Sequence, residues 1–332
     1  MERIALFILL LVLTTACHET DSTEVYQSSR DNVIKVKNLI HRIDEGDVFI
    51  GRYNTPFVYD DYLFIEDNFP TDFCLHVFNK NDYKYVTSFA PLGQGPNEFT
   101  NTGGISWNAA ERELYLPDLT KYSVAAFNLD SVIANPDYKS YEKYTLRKDT
   151  IPVDFHYICD TFTLCQVVVP TSDFTFDSHS AVINLQTGKI TCREYNRSDI
   201  HKRRFGLALS LADSIYAECN YLYDFISIFD LKGNLLRNIY GPQWGTLDLQ
   251  CHSDEVFTND YLITLYNGEI YEDNLPNRKC FVFSKSGDYI ATLDMEYSTL
   301  QMCYDESHDR LIFSFDDEFQ FGYLDLKDLK LK

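Results

Sequence analysis

The chain has 332 residues, 50 of them acidic and 29 basic, which gives a formal net charge of −21. So negative a surface repels nucleic acid and anionic membranes, and both are excluded as partners of the folded surface. Tyr and Phe number 24 each, and aromatics at that level favour half-buried pleated sheet.

Ile4 to Leu13 is an unbroken apolar run of ten, followed by Thr14-Thr15-Ala16-Cys17. A membrane-spanning helix needs about 20 such residues, so residues 1–16 read as a secretory signal peptide. Cys17 directly after Ala16 resembles a bacterial lipobox, although Thr14 replaces the usual Leu and Arg3 is offset by Glu2. Residues 17–32 then read as a lipidated Cys17 and a polar tether, with the globular part at 33–332. Several acyl chains on one residue anchor a protein stably, where a single chain does not. The segment Val33 to Ile40 is expected to be a strand that joins the last blade of the fold described next.

Six segments carry a short apolar run, a turn and a second apolar run, with turn residues Asp61, Arg112, Asp160, Asp213, Asp260 and Asp309. The steps between them are 51, 48, 53, 47 and 49 residues, and a β-and-turn period near 50 marks a radial array of sheets. A second set of polar turns falls between the first, at 78–82, 127–131, 183–188, 229–234, 283–288 and 324–328. Asx and Gly suit such turns because they tolerate positive φ or bond their own backbone. Two hairpins per repeat give four antiparallel strands. The expected fold is all-β, a six-bladed propeller of four-stranded antiparallel blades. Beyond residue 20 no helix-period stretch of useful length stands out.

Between the first two repeats lies Leu92-Gly93-Gln94-Gly95-Pro96-Asn97-Glu98-Phe99. Strand-like residues follow it, so it is no phosphate loop, which needs a helix N-terminus. Glycines here allow a sharp turn between blades, and Phe99 is expected to plug the interblade core. The pattern G-x-G-P-x-E-F, with Leu114-Tyr115-Leu116-Pro117-Asp118 and Val124 to Asp130 after it, resembles a repeat of NHL type. More narrowly, the chain after residue 30 resembles the TolB-like six-bladed propeller lipoproteins of Bacteroidetes. That resemblance implies a propeller fold and an outer-membrane, lipid-anchored location, periplasmic or surface-facing. It implies no activity that transfers residue by residue.

Eight cysteines follow Cys17, at irregular spacing and mostly inside apolar runs, where Cys behaves as a small buried hydrophobe. They are expected to be free buried thiols, and with no CxxC pair a zinc site is not expected. Polar residues of the channel-lining first strands are Ser106, Asn108, Asp154, His156, Ser210, Asp254, Glu255 and Gln301. Asp154, Asp254 and Glu255 offer oxygen ligands, but no repeated pattern calls for a metal, and no cofactor or catalytic residue is assigned.

Two loops exceed what blade turns require. One is the basic run 196–206, with Arg203 and Arg204; the other is the insertion 266–278, with Tyr271. With Trp244, these four form the expected ligand-binding surface, since long loops on a rigid scaffold carry function. If the two loops stand at opposite rims, Trp244 belongs with Arg203. The function expected is a cell-envelope lipoprotein, a non-enzymatic propeller that binds a glycan or peptide ligand or an outer-membrane protein. Two alternatives stay open: a cation-dependent propeller hydrolase or lyase, and a structural subunit of an outer-membrane complex.

Overall fold

The computed structural model describes residues 23–331 apart from 136, 148–149, 173–174, 196, 198, 201–202, 247–248 and 271–276. The signal segment and Cys17 lie outside the described residues. Three short strands come first: β1 (Glu24–Tyr26), β2 (Val33–Lys35) and β3 (His41–Ile43). Blade 1 is β4 (Asn54–Tyr59), β5 (Tyr62–Asp67), β6 (Phe73–Asn79) and β7 (Tyr85–Pro91). Blade 2 is β8 (Ser106–Asn108), β9 (Glu113–Asp118), β10 (Ser123–Asn128) and β11 (Tyr141–Thr145). Blade 3 is β12 (Ile151–Cys159), β13 (Phe162–Ser172), β14 (Thr175–Asn184) and β15 (Lys189–Cys192). Blade 4 is β16 (Phe205–Ser210), β17 (Ile215–Asn220), β18 (Phe225–Asp230) and β19 (Leu235–Tyr240).

The last two blades share one eight-stranded sheet. Blade 5 starts with β20 (Leu249–Phe257), β21 (Tyr261–Ile270) and β22 (Asn277–Ser284), and its outer strand is the first part of β23 (Tyr289–Asp305). The second part of β23 is the inner strand of blade 6, beside β24 (Arg310–Phe315) and β25 (Phe321–Asp325). Between the two parts Glu296 adopts φ +57, a left-handed corner that lets one strand change blades. All six first-hairpin turns fall where the repeat places them, since Asp61, Arg112, Asp160, Asp213, Asp260 and Asp309 each stand between the first two strands of a blade.

A blade has two apolar faces and buries them only against its neighbours, so the core is divided among interfaces. Phe64, Leu75 and Phe127 pack between blades 1 and 2, Tyr115, Phe155 and Val167 between 2 and 3. Leu164, Phe205 and Tyr216 fill the 3/4 interface, Ala217, Ile226 and Phe283 the 4/5 interface. Leu265, Leu293 and Phe313 fill 5/6, while Ile43, Leu63 and Ile312 fill 6/1. Six buried cysteines, Cys74, Cys165, Cys219, Cys251, Cys280 and Cys303, serve in or beside these layers as free thiols. Cys159 and Cys192 are also free but exposed, which departs from the expectation of uniform burial.

Four expectations are corrected. The strand at 33–35 adds to blade 5 in parallel, and the strand that completes blade 6 is β3, antiparallel to β25. The turn at 127–131 is replaced by helix α1 (Leu129–Ala134), capped by the Asn128 side chain accepting from the Ser131 amide at 3.0 Å. Leu129 and Val132 bury its inner face; six residues are too few for periodicity to reveal a helix. After 324–328 no fourth strand follows, only a 3-10 turn over Leu326–Leu329, because the N-terminal segment supplies that strand. Residues 24–26, within the segment read as tether, pair in parallel with β19 of blade 4.

The G-x-G-P-x-E-F loop has the structural role expected of it. Glu98 folds back so that its Oε2 accepts from the Gly95 amide at 2.6 Å. Gly93 sits at φ +153 where a Cβ would run into that carboxylate, so only Gly fits. Phe99 is buried against Phe127.

Residues 23–53 thus form a belt that crosses the outer clefts 4/5, 5/6 and 6/1 in turn. Its first crossing is locked by Arg30, which donates to Asp224 Oδ1 at 2.7 Å and lies 4.4 Å above the Phe281 ring. Both charged side chains are almost fully buried. Burial alone would raise the Asp224 pKa, but His252, Arg30 and the Gln243 amide outweigh it and hold the carboxyl below its ordinary range. The stability this supplies is therefore present at neutral pH and lost as pH falls through the depressed value. Arg30→Ala or Asp224→Ala leaves the other charge buried alone and should cost about 3–5 kcal/mol at pH 7. Denaturant unfolding of the full chain measures it; a loss below about 1 kcal/mol, the range of surface pairs, would show that the lock is not what holds the belt.

Candidate functional site

Where the belt crosses from blade 6 to blade 1 it stands off from the sheet. Ile43 and Ile50 are buried on either side of the crossing. Between them residues 44–49 arch outward, helped by Gly46 at φ +67 and by the Asp44 carboxylate accepting from the Gly46 amide. The far end is tied down by Gln320 Nε2, which donates to the carbonyls of Ile50 and Gly51 at 3.2 and 2.8 Å. Beneath the arch opens a cleft of about 1050 Å³, at the upper end of the range of small-molecule sites. Its walls are the arch and the two outer turns of blade 1, at Thr71-Asp72-Phe73 and Asp82-Tyr83-Lys84-Tyr85.

The floor is polar and built. The Asp67 carboxylate accepts from the amides of Gly51 at 2.7 Å and Phe69 at 3.0 Å. His76 Nδ1 and Ser88 Oγ are 2.8 Å apart, and the Tyr85 hydroxyl is 2.9 Å from the same Ser88 oxygen. His76 is buried, and burial lowers its pKa, so the ring is neutral near pH 7. Its Nε2 has no partner among the described residues. Six carboxylates line the cleft, from Asp44, Glu45, Asp47, Asp67, Asp72 and Asp82, against the single ammonium of Lys84, which pairs with Asp82 at 2.7 Å. Among the described residues Glu45, Asp47 and Asp72 have no basic partner. Phe49 is 74% exposed, Phe73 36% and Tyr85 47%, so aromatic surface lies open beside the acids.

A second cavity of about 410 Å³ is the mouth of the central channel, lined by Tyr59, Ser106, His156 and Tyr304 among others. In the channel His156 Nε2 lies 3.1 Å from Asp154 Oδ1, and Asp254 Oδ2 accepts from the Met302 amide at 2.5 Å. Burial, with the charge of Asp154 added, pushes Asp254 up to about 7 despite that amide. Glu255 is also raised, by burial and by both neighbouring acids. For His156 burial opposes the charge, but Asp154 outweighs it and its pKa rises. Direct chelation by all three acids is not in place. Among the described residues the one trio of ligand atoms within 4.8 Å of one another is His41, Asp325 and Asp328, and Asp325 is already engaged by Arg310 at 2.9 Å and Lys327 at 3.6 Å.

The residues expected to form the rim surface separate. Trp244 packs into an aromatic cluster with Tyr223, Phe225 and Tyr240, with Arg197 5.8 Å above its ring. Arg203 pairs with Glu218 and lies 4.7 Å above Phe205. Arg204 is exposed and covers the Phe176 ring at 4.5 Å. Tyr271 lies outside the described residues. The loops nonetheless share one rim, since Gln243 beside Trp244 accepts from the Tyr266 hydroxyl at 2.6 Å and donates to the Gly268 carbonyl. The acidic, aromatic run Asp44 to Phe49 was visible in the sequence but was not singled out. Nothing in the sequence says that it arches over His76, some 30 positions later.

Residues 25–167, less than half of the chain, match the family DUF5128, described as a 6-bladed beta-propeller. No curated protein sequence matches the chain. Among solved structures, a putative exported protein from Bacteroides fragilis aligns with TM-score 0.59 at 9% identity, covering 91% of this chain and 98% of that one. A luciferin-regenerating enzyme aligns at 0.57 and 11% identity, covering 88% and 96%. The calcium-binding regucalcin of Agrobacterium tumefaciens aligns at 0.56 and 9%, covering 91% and 94%. At these identities the likeness shows a shared fold and nothing about activity.

The channel acids generate a pH prediction. A carboxyl whose folded pKa is raised costs stability as pH climbs from its unfolded value, about 3.9, to the folded value of about 7. Asp254→Asn should therefore raise the melting temperature at pH 8, by roughly 2 °C or more, and leave it unchanged near pH 4. A calcium ion held there would protect the wild type at pH 8 and not the variant. Equal melting of wild type and variant at pH 8 would remove Asp254 as a buried charge.

Proposed function

We propose that this chain is an exported, lipid-anchored propeller of the cell envelope that binds a ligand or partner without transforming it, through the cleft between blades 6 and 1. The observation that carries this reading is the cleft itself. It is larger than the channel mouth and than the cavity beside Arg30, it has a floor fixed by backbone amides and by a His–Ser–Tyr chain whose His76 and Ser88 are buried, and it keeps aromatic rings open to solvent. Such a surface costs a protein solubility and is retained where it contacts something. The apolar run before Cys17 supports export and anchoring, and the description of the Bacteroides fragilis neighbour as exported agrees. The rim that carries Trp244, Tyr271, Arg203 and Arg204 is proposed as a secondary contact surface. Among its described members Arg204 is the most open to a partner, because it is exposed while Trp244 is half-buried and Arg203 is already held by Glu218.

A second reading, a cation-dependent hydrolase or lyase, is favoured by the channel, where burial and the charge of Asp154 raise both Asp254 and Glu255. Calcium protection that Asp254→Asn abolishes would be its signature.

Two tests follow. Cys17→Ala removes the acylation point and should release the protein from salt-washed membranes into the soluble fraction; retention in the pellet would overturn the anchor. In a thermal-shift panel of short peptides and oligosaccharides, at least one class should stabilise the soluble protein. Phe49→Ala with Phe73→Ala should abolish that shift while leaving the unliganded melting temperature within about 2 °C, since both rings are exposed. A shift that survives the double substitution places binding elsewhere.

A further inference from the structure

We propose that the cleft between blades 6 and 1 takes an extended peptide segment bearing arginine or lysine, seated much as residues 27–32 of this chain are seated between blades 4 and 5. The inference rests on the binding role assigned to the cleft and adds the chemistry of its occupant.

The chain contains its own template. Residues 27–32 link β1 on blade 4 to β2 on blade 5 across the outer part of the 4/5 cleft. The Gln27 amide donates to the Tyr240 carbonyl at 2.9 Å, and Asn32 Nδ2 donates to the Ile290 carbonyl at 2.7 Å. In the middle Arg30 places its guanidinium between Asp224 and the faces of Phe281 and Phe283, with His252 of the inner strand behind Asp224 at 3.5 Å. The 6/1 cleft repeats these elements: carboxylates, two phenylalanine rings and a buried histidine. Among the described residues that line it, the one Lys or Arg is Lys84, which is spent on Asp82. An arginine or lysine from outside would meet Asp47 or Asp72 and stack on Phe49 or Phe73, a cation–π geometry worth about 0.5–2 kcal/mol.

His76 is the observation independent of the acids. It is 6% exposed and lines the cleft, yet Nε2 has no partner among the described residues. His252 Nε2, beside Asp224 in the 4/5 cleft, is likewise buried without a hydrogen-bond partner among the described residues, so the two clefts share this element as well. The shape fits a peptide better than a small amine. The walls extend from Asp72 at one end of β6 to Asp82 beyond the other; seven residues of strand are about 23 Å, the length of six or seven extended residues. The tether of this same chain is no candidate, since Glu19, Asp21 and Glu24 repeat the charge of the cleft.

The test uses the full chain carrying Cys17→Ala and a fluorescein-labelled heptapeptide that alternates arginine with threonine. Its controls replace each arginine by citrulline, which keeps the shape without the charge, or by glutamate. The arginine peptide should bind, the citrulline peptide about tenfold more weakly, and the glutamate peptide not at all. Asp47→Asn with Asp72→Asn should lose about tenfold for the arginine peptide without lowering the melting temperature. Raising salt from about 0.05 M to about 0.5 M should weaken it further. Equal binding of the arginine and citrulline peptides, abolished by Phe49→Ala/Phe73→Ala, overturns the basic occupant but leaves the cleft as a site. Arginine-peptide binding indifferent to Phe49→Ala/Phe73→Ala, or no peptide binding at all, overturns the proposal. Capture of spermidine or calcium at the same carboxylates without peptide binding assigns the cleft to a small cation and also overturns it.

Discussion

No blade of this protein is stable by itself. A four-stranded sheet with apolar residues on both faces must be covered twice, and here each face is covered only by the next blade around the ring. Six interfaces then have to close simultaneously, and the last one decides whether the other five stay dry. Closure is reached by topology. β3, from residues 41–43, supplies the outer strand of a blade whose other strands come from the C-terminal end of the chain. β23 ties the fifth blade to the sixth without a break. The ring is a product of contacts between residues some 280 positions apart.

The way the ring closes also sets where binding surfaces appear. Blades diverge outward, so their outer strands leave clefts that the N-terminal belt passes one after another. It sends Arg30 into the first, where a cavity of about 450 Å³ remains beside the guanidinium, and closes on the second with Val36, whose amide donates to the Asp294 carbonyl at 3.1 Å. At the third it has already become β3 and must turn back toward the channel to begin blade 1. The arch 44–49 is the slack in that turn, and the open cleft is its consequence. Propellers of very different activity share this scaffold, so the site has to be argued from the cleft and not from the ring.

The excess of acidic residues is not one phenomenon. Some carboxylates are structural and satisfied, such as Asp67 under two backbone amides and Asp224 under Arg30. Others repel one another in the channel, where burial holds Asp254 and Glu255 toward their neutral forms. A third group stands in the 6/1 cleft beside open aromatic rings, with solvent access and one committed ammonium. The same side chain thus contributes stability, costs stability or offers recognition according to what faces it.

The propeller was legible in the sequence because its information is local and repeated. A hairpin turn such as Asp160-Thr161 announces itself through its flanking residues, and six such turns at a period near 50 leave few alternatives. The glycine turn at Gly93 was legible for the same reason, since its constraint is contained within the loop that ends at Glu98. What remained hidden depends on contacts that sequence distance conceals. The strand 33–35 could have joined any outer edge, and only the fit of Arg30 between Asp224 and Phe281 puts it on blade 5. Trp244 and Arg203 share a rim but were drawn into separate aromatic clusters by neighbours from other strands. The cleft joins residues 44–49 to His76, Ser88 and Asp72. Periodicity determined the blades, because each strand carries its own alternation; closure decided the site, because only the finished ring brings the belt over blade 1.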